Sequence, residues 1–402
     1  MGGDVMQLNT VILKAAAPCN LNCSYCYEYN RGDDSWRSKP KHILATTAEQ
    51  VGKRIAEYCQ AHEIGEFHVN LHGGEPLLLG IDRLRVVFDK LLGSTRGVRL
   101  RLGVQTNATL ITPAFLGLLE DYRVAVGVSI DGGRHHNRWR VNHGEKPAYD
   151  RIVEGLNLVL QRRRFFAGLQ AVIDLNNEPQ EVLDALAAFN PPAIDLLPPF
   201  GNHDNPPFGG AGRYTLGNWL TAAFDHWMSS PDLQAIRIRY LEDALVSVLS
   251  GESRSDWFGL RPPGYVVVAT DGAFEGLDTL KVAGEIGRTT GLTVWSAGLD
   301  EVLQHDVMAM RGRGVGGLCQ ECRSCSIVRW CGGGYLPTRY GRENGFDNPS
   351  YFCADMKQFF THIGCWLVDR KEIEPTKIAE IRTRLALLSA TANTAPENSH
   401  ID

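Results

Sequence analysis

A chain of 402 residues, 44% hydrophobic and 22% charged, can bury a sizeable core without disulfide or metal staples and has room for one large domain and a smaller one. Its net charge of −5 leaves no basic stripe for a nucleic-acid backbone, and it has neither a cationic start followed by a long apolar run nor a stretch of roughly eighteen apolar residues that would span a bilayer. Nucleic acid and membrane are thereby excluded as expected partners. A cytoplasmic location is expected, where the ten cysteines serve more readily as metal ligands than as disulfides.

From Thr10 to about Pro199, short β-rich runs alternate with amphipathic stretches, the pattern of βα units around a parallel sheet. Strands are predicted over 10–16, 66–72, 99–106, 124–130, 166–173 and 194–198. Helices are predicted over 46–62 (Thr46 or Thr47 capping), 81–92, 113–121, 149–162 and 179–188. The expected fold is α/β, a partial (β/α)6 TIM-type barrel over 1–215. In such sheets chemistry gathers beyond the carboxyl ends of the strands. Cys19 follows the first strand, Gly73-Gly74-Glu75-Pro76 the second, Asn107 the third, Asp131 the fourth and Asn202-His203-Asp204 the sixth. The last of these is a polar turn that could also touch a substrate.

After a Pro/Gly-rich passage, bridging helices are expected over 216–229 and 239–250, within a connecting segment 216–255. A second domain, 256–370, opens with a β-rich run from Tyr265 into the turn Asp271-Gly272 and then carries a second group of cysteines. A C-terminal helix and polar tail, 371–402, complete the chain and are expected to fray after about residue 391.

The first cysteines, Cys19-Asn-Leu-Asn-Cys23-Ser-Tyr-Cys26, have the spacing Cys-x3-Cys-x2-Cys with no fourth cysteine nearby. Three thiolates can hold three irons of a cubane and leave the fourth open; a zinc knot, the alternative, usually brings four ligands in paired arms. The spacing, with Tyr25 before the last cysteine, resembles the signature of the radical S-adenosylmethionine (SAM) superfamily. That resemblance implies a [4Fe–4S] cluster whose open iron is chelated by SAM and whose electron splits the cofactor to a 5′-deoxyadenosyl radical. Gly73, Gly74 and Glu75 are similar to the family segment that hydrogen-bonds the cofactor's ammonium group. Asn107, and Ser129 and Asp131 after the fourth strand, are similar to segments that reach its sugar and methionine ends. Arg140 matches an arginine that pairs with its carboxylate, a bidentate task suited to guanidinium.

The second group reads Cys319-x2-Cys322-x2-Cys325-x5-Cys331-Gly-Gly-Gly-Tyr335, with Cys353 further on. It resembles the SPASM extension of radical SAM enzymes that modify peptides and proteins, which usually carries seven cysteines and two auxiliary [4Fe–4S] clusters. Cys322, Cys325, Cys331 and Cys353 match ligands of one auxiliary cluster, with Cys319 as a rival; zinc on the same cysteines is the alternative. Where the family has further cysteines, this chain has Tyr335 and Leu277, so two clusters in total are expected. Next to Leu277 stands Asp278, at the place where related sulfatase-maturing enzymes have an aspartate that takes a substrate proton. Asp278 is therefore a candidate general base, with a pKa expected to be raised by a closed cavity; the other reading is a salt-bridge partner of Lys281.

The runs Cys331 to Cys353 and Thr270 to Lys281 look like one SPASM branch, which includes maturases that join an aromatic ring to a nearby side-chain carbon of ribosomally made peptides, giving cyclophanes. The branch implies a precursor peptide as substrate and a flavodoxin- or ferredoxin-type electron donor. Formylglycine formation in a sulfatase and thioether formation are the rival activities, and a non-catalytic, zinc-holding peptide scaffold is the rival of another class.

Overall fold

The computed structural model describes residues 7–392 except 211, 254, 285–288 and 371–372; the tail expected to fray lies largely outside them. Strands β1 (Thr10–Ala16), β2 (Glu66–Gly73), β3 (Arg99–Thr106), β4 (Ala125–Ser129), β5 (Phe166–Val172) and β6 (Ala193–Leu197) run parallel, each paired with the next. Helices α1 (Ala45–Ala61), α2 (Ile81–Ser94), α3 (Pro113–Asp121), α4 (Tyr149–Leu160) and α5 (Pro179–Ala187) make the crossovers. Ile12, Asn70, Gln105, Ser129, Gln170 and Asp195, one from each strand, line a single cavity of about 1290 Å3. The sheet therefore curves around a hollow, with its polar strand residues turned inward.

The helices form where apolar residues recur at helical spacing, as with Val51, Ile55, Tyr58 and Cys59 on α1, all buried. Pro113 starts α3 behind Thr112, whose hydroxyl accepts from Phe115 N at 3.3 Å. The threonine cap expected for α1 does not form. Leu44 occupies the N-cap, and Thr47 is buried in the first turn, where it packs beneath the turn at Gly272.

The second domain is stitched into the barrel sheet. Strand β7 (Arg237–Ile238) borders β6, while β8 (Tyr265–Val268) pairs parallel with β1, from Thr10↔Tyr265 to Leu13↔Val268. The Asp271-Gly272 turn leads into β9 (Ala273–Glu275), antiparallel to β8, and β10 (Thr289–Thr293) forms the far edge. The ten strands make one sheet in the order β10-β9-β8-β1-β2-β3-β4-β5-β6-β7. Flanked on both sides, β1 buries Val11, Leu13, Ala15 and Ala16, as a parallel strand inside a sheet does. Helix α6 (Leu216–Ser229) packs on the helix Cys353–Arg370, with Phe224 against Phe359 and Trp366. Among the described residues no helix is long and apolar enough to cross a membrane.

Candidate active site

Cys19, Cys23 and Cys26 all line the cavity, on the loop that leaves β1. Burial pushes the Cys26 thiol up to about 12 and Cys19 higher still, so as free groups they stay protonated; coordinated iron would deprotonate them. The loop is pressed against the glycines after β2. A Cβ on Gly73 would lie 2.2 Å from Ala16 O, and one on Gly74 would lie 1.9 Å from Tyr29 Oη and 2.3 Å from Pro18 O. Gly74 N and Glu75 N donate to Ala16 O and Pro18 O at 3.0 and 3.1 Å, so the two strand ends are laced together through positions only glycine can fill.

Glu75 is almost fully buried. It accepts from Leu77 N at 3.1 Å, Thr106 Oγ1 at 2.7 Å and Asn107 N at 2.8 Å, bracing the end of β2 to the end of β3. Burial pushes its pKa up to about 7 against those three donors. Asn107 lines the cavity, its Nδ2 donating to Asn20 Oδ1 at 3.0 Å and lying 3.8 Å from Cys19 Sγ. Ser129 also lines it, and its hydroxyl accepts from Gln105 Nε2 at 2.8 Å.

Asp131 is buried. Arg140 grips it through Nε and Nη2, each at 2.8 Å, Tyr25 Oη donates to it at 2.5 Å, and Val172 N donates at 2.9 Å. Arg140 and Tyr25 face the cavity, so Asp131 acts on the cavity by fixing those two side chains. Asn202, in the polar loop after β6, is fully buried and donates to Val282 O at 2.9 Å, while Asp204 Oδ2 accepts from Arg342 N at 2.7 Å. That loop clasps the barrel to the second domain.

Asp278 sits on the cavity wall, buried. Its Oδ1 lies 2.6 Å from Lys14 Nζ, its Oδ2 accepts from Tyr27 Oη at 2.5 Å, and His72 Nδ1 is 3.5 Å away. Burial raises its pKa, as expected from sequence, but Lys14, His72 and Lys281 together outweigh burial and hold the carboxyl well below the usual carboxylate range. The expected raised pKa is thus corrected: Asp278 is buried, but not in apolar surroundings, because β1 delivers an ammonium to it. His72 is itself pushed down to about 4 by burial and Lys14, so near neutral pH the opposing charge comes from the lysines. Lys281 instead hydrogen-bonds Glu28 and stands 3.7 Å from Glu275. Sequence reasoning passed over Lys14, Tyr27, Glu28 and His72; the available signal was Lys14, a lone cation in the apolar run Thr10–Ala16.

In the second domain Cys319 and Cys322 are buried and share one apolar cluster with Leu318. Cys331 feels the charges of Cys353 and Cys325, and burial pushes it up to about 12, so the four expected ligands and Cys319 converge on one locality. A single tetrahedral zinc ion, at ~2.3 Å from each sulfur, would draw its thiolates to within roughly 4 Å of one another. Among the described residues no three cysteine sulfurs lie mutually within 4.8 Å; the trio of possible ligands that does is His135, His136 and Glu181. There Gly133 N donates to His136 Nδ1 at 2.9 Å, which leaves the ring proton on Nε2, the atom that faces Glu181 at 3.9 Å. Both cysteine groups thus suit a larger iron–sulfur unit, and the histidine trio suits no ion.

A partial parallel barrel whose first strand delivers three thiols to a cavity, braced by a Gly-Gly turn from the second, defines a radical SAM domain. Residues 17–186 match the family model described as Radical SAM superfamily, so that stretch is a radical SAM domain, and the chain is an enzyme whose cofactors are SAM and [4Fe–4S] clusters. It is similar to a serine-type anaerobic sulfatase-maturating enzyme of Bacteroides thetaiotaomicron, 23% identical over 392 residues, covering 90% of each chain. Its fold matches native anSMEcpe with bound AdoMet at a TM-score of 0.73 and 20% identity, covering 90% of this chain and 100% of that one. It also matches Streptococcus suis SuiB bound to precursor peptide SuiA at a TM-score of 0.59 and 15% identity, covering 87% of this chain and 76% of that one.

Proposed function

We propose that this enzyme joins an aromatic ring to a nearby side-chain β-carbon in a ribosomally made precursor peptide, forming a cyclophane. The observation that carries this reading is Asp278, an ionised and weakly basic carboxylate on the wall of the cavity that contains Cys19, Cys23 and Cys26. Such a carboxylate suffices for a ring that has gained a bond at one carbon and sheds a proton to become aromatic again.

Cys19, Cys23 and Cys26 would hold the SAM-binding cluster, and Cys322, Cys325, Cys331 and Cys353 the auxiliary one; when bound, these supply hydrogen-atom removal and a one-electron acceptor. Gly73, Gly74, Asn107, Ser129, Arg140 and Tyr25 are the residues assigned to SAM, with Glu75 and Asp131 holding them in place. Lys14 and Tyr27 orient the Asp278 carboxylate. The balance is a β-hydrogen atom, one ring proton taken by Asp278, and one electron, for one new carbon–carbon bond. A flavodoxin- or ferredoxin-type protein supplies the reducing electrons. SuiB is described with a precursor peptide bound, which supports a peptide in this cavity.

Anaerobic incubation of the iron-loaded enzyme with SAM, reductant and the peptide encoded beside its gene should yield a peptide lighter by two hydrogens, resistant to fragmentation across the linked segment. Asp278→Asn should keep 5′-deoxyadenosine formation and lose about 100-fold or more of the product, the usual weight of a general base. An unchanged peptide mass overturns the proposal. Similarity to a sulfatase-maturating enzyme favours a second reading, formylglycine formation; from serine it also removes two hydrogens, but fragmentation would place the change on that one residue, and from cysteine it would in addition exchange sulfur for the oxygen of water, a larger loss of mass.

A further inference from the structure

The cavity wall beside Asp278 is aromatic. Leu277 and Tyr335, which fill two positions where the resemblance places cysteines, share one apolar cluster with Phe200, and Tyr27, Trp257 and Tyr265 pack against it. The Tyr27 ring meets Phe200 edge-on at 5.1 Å, Phe200 lies 6.2 Å from Trp257 at 24°, and Trp257 lies 4.3 Å from Tyr335 at 38°. All five aromatic residues line the cavity with Asp278 and Thr279.

Their polar ends are occupied. Tyr27 Oη donates to Asp278 Oδ2 at 2.5 Å, Tyr265 Oη donates to Asp256 Oδ2 at 3.0 Å, and the Tyr335 and Thr279 hydroxyls are 2.5 Å apart. With the hydroxyls bound, these residues offer the cavity ring surface, which prefers another ring at stacked or edge-on distance. Trp257 is half-buried. The strand wall contributes Asn70, Gln105, Ser129, Gln170 and Asp195 instead, a surface that would leave a bound hydrocarbon ring facing polar groups.

We propose that Tyr27, Phe200, Trp257, Tyr265 and Tyr335 form a subsite that receives an aromatic side chain of the substrate and holds its ring beside the Asp278 carboxylate. This rests on the crosslinking reading above and extends it, because it names the residue class that the cavity selects. Replacing two ligand positions with Leu277 and Tyr335 then turns the place of a cluster into part of a recognition surface.

The test is binding without turnover. Iron-loaded full-length enzyme with SAM and no reductant is mixed with N-acetyl-L-tryptophanamide, N-acetyl-L-phenylalaninamide or N-acetyl-L-leucinamide and followed by saturation-transfer NMR. The ring protons of the two aromatic amides should receive the magnetisation, and the leucine amide should bind about tenfold more weakly, the order of discrimination one aromatic pair provides. Trp257→Ala should weaken the aromatic amides about tenfold with iron content unchanged. Tyr335→Phe, which keeps the ring, should bind them as the wild type does and is the variant to read if Trp257→Ala loses iron. Equal binding of the leucine amide, undiminished binding by iron-loaded Trp257→Ala, or loss of binding in iron-loaded Tyr335→Phe overturns the subsite. Failure of peptide crosslinking with ring binding intact would overturn the crosslinking reading alone.

Discussion

Lys14 Nζ on β1 lies 2.6 Å from Asp278 Oδ1 beyond β9, so the strand that delivers Cys19 to the cavity also sets the charge of the candidate base in the second domain. The pair belongs to a buried ladder of ions. Lys14 is 3.2 Å from Glu28, Glu28 bonds Lys281, Lys281 is 3.7 Å from Glu275, and Glu275 is 2.6 Å from Lys39. Barrel strand, cysteine loop and second-domain hairpin are held in register by charges that water barely reaches.

Lys14→Met removes the main counter-charge of Asp278 and leaves burial to push its pKa up. The wild-type carboxylate is held low and stays ionised through the neutral range. In the variant it gains a proton at a higher pH than in the wild type, so the acid limb of product formation should move up in pH. The pH–rate profile of peptide modification, with 5′-deoxyadenosine counted in parallel, reads this directly; a variant profile parallel to wild type would refute it. Breaking the pair should also cost about 3–5 kcal/mol of stability, much of it recovered in Lys14→Met/Asp278→Asn because no lone charge is then left buried.

The barrel was legible because each βα unit repeats the same alternation, and the cysteine loops because ligand spacing is local. The observed β1 has the predicted bounds, and β2 runs one residue further. What escaped was long-range. That β8 joins β1 depends on partners 255 positions apart in Thr10↔Tyr265 (265 − 10 = 255), and no local pattern encodes that. The depressed pKa of Asp278 escaped for the same reason, since burial is foreseeable from a hydrophobic context but Lys14 comes from the far end of the chain. Glu75 and Asp131 illustrate a further gap: a motif shows that a carboxylate is needed, not which neighbours it braces, as Glu75 does for Thr106 and Asn107 and Asp131 for Arg140 and Tyr25.

Gly74→Ala should cost the first cluster. The new methyl would sit 1.9 Å from Tyr29 Oη and 2.3 Å from Pro18 O; the phenol can swing aside, but the Pro18 backbone can move only by shifting the loop that carries Cys19. Overpacking of this kind costs about 1–3 kcal/mol. The expected outcome is a folded protein that keeps its second-domain iron and loses roughly half the total, read by iron analysis and circular dichroism together. Full iron content in the variant would show that the close approach is not needed.

Iron content also sorts the cysteines. Two [4Fe–4S] clusters predict about eight irons per chain, falling to about four in Cys19→Ala or Cys331→Ala. Cys319→Ala should keep about eight, because Cys322, Cys325, Cys331 and Cys353 complete a cluster without it, although Cys319 is buried in one cluster with Cys322. A fall to about four in that variant would make Cys319 a ligand and release one of the other four.

Glu75 gives the fold its own pH dependence. Its carboxyl is raised from an ordinary 4.5 to about 7 by burial. Below about pH 4.5 it is protonated whether the chain is folded or not, and the stability tied to that proton is fully present. Between about 4.5 and about 7 the unfolded chain releases the proton while the folded one retains it, so stability falls as pH rises, by about 3 kcal/mol over the interval. Glu75→Gln cannot ionise and should lose this slope. It should also be less stable at low pH by about 1–3 kcal/mol, because its amide nitrogen would face Asn107 N–H or Thr106 where the carboxylate now accepts. Urea unfolding of the iron-loaded protein and its variant between pH 5 and 8 isolates the contribution as the difference between two curves. Parallel curves would mean that Glu75 ionises no differently in the folded chain than in the unfolded one.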